Sequence, residues 1–127
     1  MLEIKVVKFD GKFLMPESAT FPVRFGIVSA FTHTGTPLSD WQADRALCAS
    51  IREAGFIPFR VVCLSNNKGD KAWPSYGFAA PDTKSVAAIA AHFSQDAFFW
   101  INNDKLQLKD TKSLTFEHLG GFREFLV

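Results

Sequence analysis

The stretch FGIVSAF at residues 25–31 decides the fold that the sequence predicts. Its apolar side chains occupy both odd and even positions, whereas a strand with one solvated face alternates apolar and polar residues. The β-branched residues Ile27 and Val28 favour an extended backbone. The pattern therefore predicts a core strand over residues 21–31 that is covered on both faces.

A helix is predicted to follow this strand, beginning at Ser39. The run SDWQ at residues 39–42 fits a capping box, in which the serine hydroxyl and the glutamine side chain satisfy backbone amides reciprocally. Gly55 is predicted to end the helix as a C-terminal cap. A second strand is predicted over residues 56–64, and Pro58 places it at a sheet edge or moves its start beyond the proline.

The second half of the chain repeats the alternation of strand and helix. Residues 73–80 predict a third strand, and Asp82 or Thr83 caps a helix that runs to about residue 95. The fully apolar residues 97–101 predict a fourth strand. This order of elements predicts an α+β protein with a ferredoxin-like β-α-β-β-α-β core, in which an antiparallel sheet carries its helices on one face.

The whole chain, 1–127, is predicted to form a single domain. Its core spans about residues 21–108, an N-terminal hairpin spans 2–14, and a C-terminal tail spans 111–127, where the pattern leaves strand and helix open. Phe98 and its neighbours make both sides of the last core strand apolar. We therefore expect the far face to be covered by the hairpin and tail or by another protein, with Trp100 as a candidate contact residue.

Composition excludes several classes of function. Lys and Arg total 14 against 13 Asp and Glu, so no global field attracts nucleic acid or anionic lipid, and nucleic acid is an unlikely partner. No stretch approaches the roughly 20 apolar residues that span a bilayer, so no membrane association is expected. Cys48 and Cys63 make no disulfide framework, which predicts a reduced, cytosolic protein.

The loop at residues 32–37 and the following helix start are the richest polar site. Helix N-termini suit anions, so His33, Thr34, Ser39 and Asp40 are candidates for binding a small anionic ligand. The alternative is a capped helix behind a surface loop, because Asp40 would repel an incoming anion.

A second candidate site is the run WPSY at residues 73–76. Trp73 and Tyr76 could form a stacking wall for a base or a proline-rich peptide, or alternatively an aromatic lid over the edge of the core. Histidine and cysteine spacing predicts no metal site and no cofactor, and no catalytic constellation is visible.

Several runs share residues with a known family: 25–31, GTPLSD at 35–40, AGF at 54–56, and above all FSQDAFFW at 93–100. Over roughly residues 25–108 the chain resembles small bacterial proteins grouped as domain of unknown function 3293. Such proteins tend to carry a Glu-Asn pair in the first helix, where this chain has WQAD at 41–44. The resemblance implies a bacterial-type cytosolic domain without an established activity. It marks Gln95 and Asp96 as candidate site residues, or as residues that cap the second helix.

Taken together, these patterns favour a non-enzymatic binding or regulatory module that works through protein contacts or self-association. The apolar sheet face and the edge formed by Trp73 and Tyr76 are its expected contact surfaces. The alternative is a small enzyme or a nucleotide- or anion-binding protein that uses the loop and helix start at residues 32–40.

Overall fold

In this computed structural model the described residues are 12–15, 21–32, 37–65 and 71–126. Within these ranges the strands are β1 (Lys12–Leu14), β2 (Arg24–Ser29), β3 (Phe59–Ser65), β4 (Lys71–Ala79), β5 (Ala97–Asn102), β6 (Lys105–Asp110) and β7 (Phe116–Gly121). The helices are α1 (Pro37–Glu53), α2 (Thr83–His92) and a short 3-10 helix, Phe122–Phe125. The strand order is β1-β3-β4-β2-β5-β6-β7, and all neighbouring strands are antiparallel.

The prediction of a ferredoxin-like core is wrong for this fold. The described residues form a seven-stranded sheet that curls into a half-barrel, with β1 continuing it beyond β3, and β6 and β7 continuing it beyond β5. Phe13 of β1 forms a parallel bridge with Leu126, so the curl brings β1 to the C-terminal segment. The segments that the prediction placed outside the core are therefore parts of the sheet. The first part of the predicted N-terminal hairpin, residues 2–11, lies outside the described residues.

The added C-terminal strands arise from a tight turn and from the tail. Asn103 and Asp104 have φ angles of 50° and 68°, and positive φ at both central residues is typical of the type I′ turn that suits a two-residue hairpin. Leu106 and Leu108 then pair with apolar residues of β5. β7 pairs with β6 in turn, so the tail that the pattern left open contains a strand followed by the 3-10 helix.

The helices follow their predicted positions with shifted ends. α1 begins at Pro37, so Ser39 lies within its first turn and the capping-box prediction is wrong. Gly55 has a φ of 91°, and the amide of Phe56 donates to the carbonyl of Ile51 at 3.1 Å, which confirms the glycine cap. At α2, the Oδ1 atom of Asp82 accepts a hydrogen bond from the Ser85 amide at 2.9 Å. α2 ends at His92, three residues before the predicted end.

The face of the sheet that carries α1 and α2, here called the helix-covered face, holds one of the hydrophobic clusters. Phe98 and Trp100 of β5 point into this cluster and so lie beneath helices. Gly26 of β2 lies directly under Val86 of α2, where a Cβ atom would be 2.5 Å from Cγ1 of the valine. The close approach of helix and strand therefore requires glycine at this position. The buried members of this cluster are Val28, Ala30, Leu47, Ile51, Phe78, Ala80, Val86, Ile89, Ala90, Phe98 and Trp100.

The opposite face, here called the concave face, holds a second cluster that is dominated by phenylalanine. Phe122 of the 3-10 helix is fully buried at its centre, with ring centroids 5.2 Å from Phe13 and 5.3 Å from both Phe21 and Phe25. The chain itself thus covers this apolar face. The buried members are Phe13, Phe25, Ile27, Val61, Ile101, Leu106 and Phe122.

Candidate functional site

The segment that leaves β2 is held by two of the candidate residues. Asp40 of α1 is buried, and its Oδ1 atom accepts hydrogen bonds at 3.3 Å from both the backbone amide and the hydroxyl of Thr32. Gln95 donates through Nε2 to the carbonyl of Phe31 at 3.2 Å. Asp40 and Gln95 therefore fix residues 31–32 from different elements. Since the Asp40 carboxylate lies in the first turn of α1, this helix start presents a negative charge to any ligand.

An exposed apolar surface adjoins this segment at the start of α1. Leu38 and Trp41 are 71% and 45% exposed, although large apolar side chains are usually buried. The residues are three apart on a helix, so they are surface neighbours. The Trp41 ring packs edge-on against Phe31, with centroids 5.0 Å apart. We call this surface, formed by Phe31, Leu38 and Trp41, the Trp41 patch.

The other residues predicted for this loop do not add to the site. His33 and Thr34 lie outside the described residues. Ser39 is exposed in the first turn of α1. Asp96 is exposed as well, and its backbone carbonyl accepts a hydrogen bond from the Thr111 amide at 2.9 Å, which ties β5 to the turn after β6.

Trp73 and Tyr76 do not form a stacking wall. Both belong to β4, where side chains alternate between faces, so residues three apart point to opposite sides of the sheet. Tyr76 packs on the helix-covered face, whereas Trp73 lies opposite Cys63, which belongs to the concave cluster. Trp100 is 5% exposed beneath the helices, so it is a core residue and does not offer a contact surface.

The structure instead places Tyr76 in a polar cluster that the sequence analysis missed. Arg60 of β3 donates from both terminal nitrogens to the Asp44 carboxylate of α1, at 2.9 and 2.8 Å. It also donates to the Tyr76 hydroxyl at 2.7 Å, and its guanidinium carbon lies 4.1 Å from the centre of the tyrosine ring. The Asp44 side chain is 2% exposed, so this two-bond ion pair links α1 to the sheet inside the helix-covered face.

Asp44, Arg60 and Tyr76 affect one another electrostatically as well as through hydrogen bonds. The hydrogen bonds that Arg60 donates to Asp44 raise the pKa of Arg60, so the guanidinium stays charged. Burial and the Asp44 carboxylate raise the pKa of Tyr76, partly opposed by Arg60, so the phenol stays protonated. Because four hydrogen bonds to Asp44, Tyr76 and the Ser75 carbonyl occupy the terminal nitrogens of Arg60, the pair is suited to fixing α1 rather than to binding a substrate. The sequence holds two signals that could have indicated this cluster. They are a lone arginine in the apolar run at 56–64 and an aspartate one turn after Asp40.

Cys63 offers no nucleophile near neutral pH. Burial raises the pKa of its thiol to about 12, against a weaker lowering by a hydrogen bond with Ser75, whose Oγ lies 3.6 Å from the sulfur. The nucleophilic thiolate is therefore scarce. Within the described part of the chain, no group of three or more histidine, cysteine or acidic side chains is placed to hold a metal ion.

A small cavity of about 120 Å³ opens at the end of the sheet where β2 begins. Phe21 and Phe122 line its apolar side, and Asn103, Asp104 and Arg123 line its polar side. Arg123 lies over the Phe21 ring at 4.9 Å and 3.7 Å from the Asp104 carboxylate, so its charge is already partnered.

Among the described helices, none combines the length and the apolar character needed to cross a membrane. Comparison of the chain with protein-family models, with curated proteins and with solved structures found no match.

Proposed function

We propose that this chain is a non-enzymatic binding module that contacts a protein partner through the Trp41 patch. The observation that supports this most directly is the exposure of Leu38 and Trp41 side by side on α1. Tryptophan is enriched at the energetic centres of protein interfaces, because it buries a large area at a small cost in side-chain entropy.

The surroundings of the patch support a preformed contact surface. Asp40 accepts hydrogen bonds from Thr32 and Gln95 donates one to the Phe31 carbonyl, and the ring of Phe31 in turn packs against Trp41. A side chain that is fixed before binding loses less conformational freedom when the partner arrives.

The contact surfaces expected from the sequence are less suitable. Among the described residues the apolar face of the sheet is largely filled by its own phenylalanines, including the buried Phe13 and Phe122. Trp73 and Tyr76 lie on opposite faces of β4. The alternative function, an enzyme or anion-binding site at residues 32–40, is disfavoured because the Asp40 carboxylate already accepts the hydrogen bonds of Thr32.

A cytosolic location belongs to the same proposal. Cys48 and Cys63 are free thiols on opposite sides of the sheet, which suits a reducing compartment. The resemblance to domain of unknown function 3293 stays a prediction and carries no activity into this proposal.

Site-specific photo-cross-linking tests the patch. A photoreactive phenylalanine analogue in place of Leu38 is expected to form a discrete adduct in cells that express the chain. The same analogue in place of Ile57, which is 80% exposed in the loop before β3, is the matched control and should form none. An adduct of twice the chain mass would identify a second copy as the partner.

The substitution Trp41→Ser should abolish the adduct at position 38, while Trp41→Phe should retain it. Since Trp41 is half exposed, Trp41→Ser should change the free energy of unfolding by no more than about 1 kcal/mol, as a denaturation curve will show. Equal adducts at positions 38 and 57, or an adduct that survives Trp41→Ser, would contradict the proposal.

A further inference from the structure

The cavity at the start of β2 lies at the opposite end of this strand from the Trp41 patch, and the proposed function does not use it. Its volume is about 120 Å³. Ile101 and Phe122 supply a buried apolar wall, and Phe21 and the exposed Val23 complete the apolar lining. Since an apolar cavity of about 150 Å³ accepts a benzene molecule, this one has room for a branched aliphatic side chain.

Hydrogen bonds fix the walls of this cavity to one another. The amide of Asn103 donates to the Val23 carbonyl at 2.8 Å, so the turn after β5 is tied to the segment before β2. The amide of Phe122 donates to the Asp104 carbonyl at 2.6 Å, and the amide of Arg123 donates to the Oδ1 atom of Asp104 at 3.1 Å. Three separate parts of the chain are thereby held in place before a ligand arrives, which lowers the cost of binding.

The polar side of the cavity carries one charge of each sign. The Nε atom of Arg123 lies 3.7 Å from the Oδ1 atom of Asp104, which neutralises the pair but is too long for a hydrogen bond. These side chains are 70% and 43% exposed, and no described residue accepts a hydrogen bond from the terminal nitrogens of Arg123. Glu124 and Lys105 lie beside Gly121 with opposite charges, and neither lines the cavity. The ion pair therefore keeps donor and acceptor positions for a ligand.

We propose that this cavity binds a free α-amino acid with a branched aliphatic side chain. The ligand carboxylate accepts hydrogen bonds from Arg123, its ammonium group donates to Asp104, and its side chain fills the apolar lining. An α-amino acid carries both charges on one carbon, which matches a cation and an anion 3.7 Å apart. A simple amine would meet Arg123 as a like charge, a simple carboxylic acid would meet Asp104 as a like charge, and a neutral ligand would use neither.

Titrations with leucine, followed by amide chemical shifts in nitrogen–proton correlation spectra, test the proposal. At about pH 6.5, where α-amino groups are protonated, leucine should shift the amides of residues 101–104 and 122–123. Alanine should bind at least about tenfold more weakly, because its methyl group leaves most of the apolar lining uncovered. Arg52→Gln, which removes an exposed arginine of α1, is the control variant and should bind leucine like the wild-type chain.

Two leucine derivatives separate recognition of the two charges. N-acetylleucine lacks the ammonium group and leucinamide lacks the carboxylate, so each should bind at least about fivefold more weakly than leucine. Arg123→Gln should weaken the binding of leucine and N-acetylleucine at least about fivefold but not that of leucinamide, and Asp104→Asn should weaken leucine and leucinamide but not N-acetylleucine. Asparagine tolerates the positive φ of residue 104 and keeps an oxygen for the Arg123 amide, so this variant preserves the turn.

Thermal melts of each variant check the fold, and the titrations of the wild-type chain with the derivatives decide the proposal even where a variant unfolds. The proposal fails if leucine near its solubility limit shifts none of the cavity amides, or if alanine or either derivative binds as tightly as leucine. It also fails if Arg123→Gln weakens leucine and leucinamide equally, or if Arg52→Gln weakens leucine as much as Arg123→Gln does.

Discussion

The helix-covered face and the concave face of the sheet are packed by different means. On the helix-covered face, small and aliphatic side chains of α1 and α2 lie against the strands, and Gly26 lets α2 approach the backbone closely. On the concave face, the only described helix among the packed residues is the four-residue 3-10 helix. Phenylalanine rings fill the rest of the space. Several of these rings meet edge to face, for example Phe13 against Phe99 at 5.0 Å.

This difference accounts for much of the unusual aromatic composition. The chain has 14 phenylalanines against one tyrosine, and a curled sheet needs bulky apolar rings to fill its interior without bringing hydroxyl groups that require partners. The contributing rings come from distant parts of the chain, including residue 13 and residue 122. The concave cluster therefore depends on contacts between residues far apart in the chain such as Phe13 and Phe122, while the helix-covered cluster depends on the packing of α1 and α2 on β2, β4 and β5.

The largest expected effect tests this dependence on residues far apart in the chain. Phe122→Ala removes a fully buried ring that contacts Phe13, Phe21 and Phe25, and it should lower the free energy of unfolding by about 3–5 kcal/mol. Urea denaturation followed by tryptophan fluorescence measures the loss. A loss below about 1 kcal/mol would show that the 3-10 helix does not complete the concave cluster.

Hydrogen exchange distinguishes this variant from its counterpart on the other face. Phe78→Ala, which removes a fully buried ring stacked on Phe56 at 5.3 Å, should cost a similar amount. Only Phe122→Ala should also expose the amides of β1 and of the C-terminal segment before global unfolding, because the bridge between Phe13 and Leu126 rests on the missing ring.

Those elements that carry a strong local signal could be predicted from the sequence. The apolar stripes with Gly55 and Asp82 at their ends located α1 and α2 to within a few residues, because helical periodicity and caps are local signals. Strands β2 and β5 were located by continuous apolar runs.

The rest depends on long-range pairing, which local patterns do not encode. Phe122 sits in a tail without clear periodicity, and its burial follows only when β7 has paired with β6. The candidate site divides in the same way. Asp40 lies at the helix start where the sequence placed it, whereas the contact of Gln95 with Phe31 and the pairing of Asp44 with Arg60 require the packing of distant elements on the sheet. Trp73 and Tyr76 lie three residues apart on one strand, and the period of two along a strand already predicts that they point to opposite faces.

Substitution of one glycine on each face compares how tightly the two faces are packed. The expected losses of stability are smaller than those of the phenylalanine variants. Gly26→Ala places a methyl group against the branched carbons of Val86, a residue fully buried within α2, and should cost about 2 kcal/mol through overpacking. Gly77→Ala meets the far end of the Phe59 ring on the concave face. Because Phe59 is half-buried and its ring can turn away, this substitution should cost less than Gly26→Ala.

The double variant Gly26→Ala/Val86→Ala identifies the cause of that loss. Removing the branched carbons of Val86 makes room for the added methyl group, so the two substitutions should together cost less than the sum of their separate costs, as denaturation curves will show. Strict additivity would mean that the backbone of β2, and not the contact with α2, determines the requirement for glycine at position 26.

The smallest effect concerns a single proton on the concave face. Burial raises the pKa of the Cys63 thiol from 9.0 to about 12, so between these pH values the unfolded chain loses a proton that the folded chain keeps. The thiol therefore contributes no pH dependence below pH 9.0, and above it lowers the free energy of unfolding by about 1.4 kcal/mol per pH unit. Urea denaturation at pH 8 and pH 10 should show a stability loss about 1.4 kcal/mol larger for the wild-type chain than for Cys63→Ala, because the contributions of all other titrating groups cancel in this difference. Equal losses in the two proteins would mean that water reaches the thiol, and hence that the rings of the concave face do not close over β3.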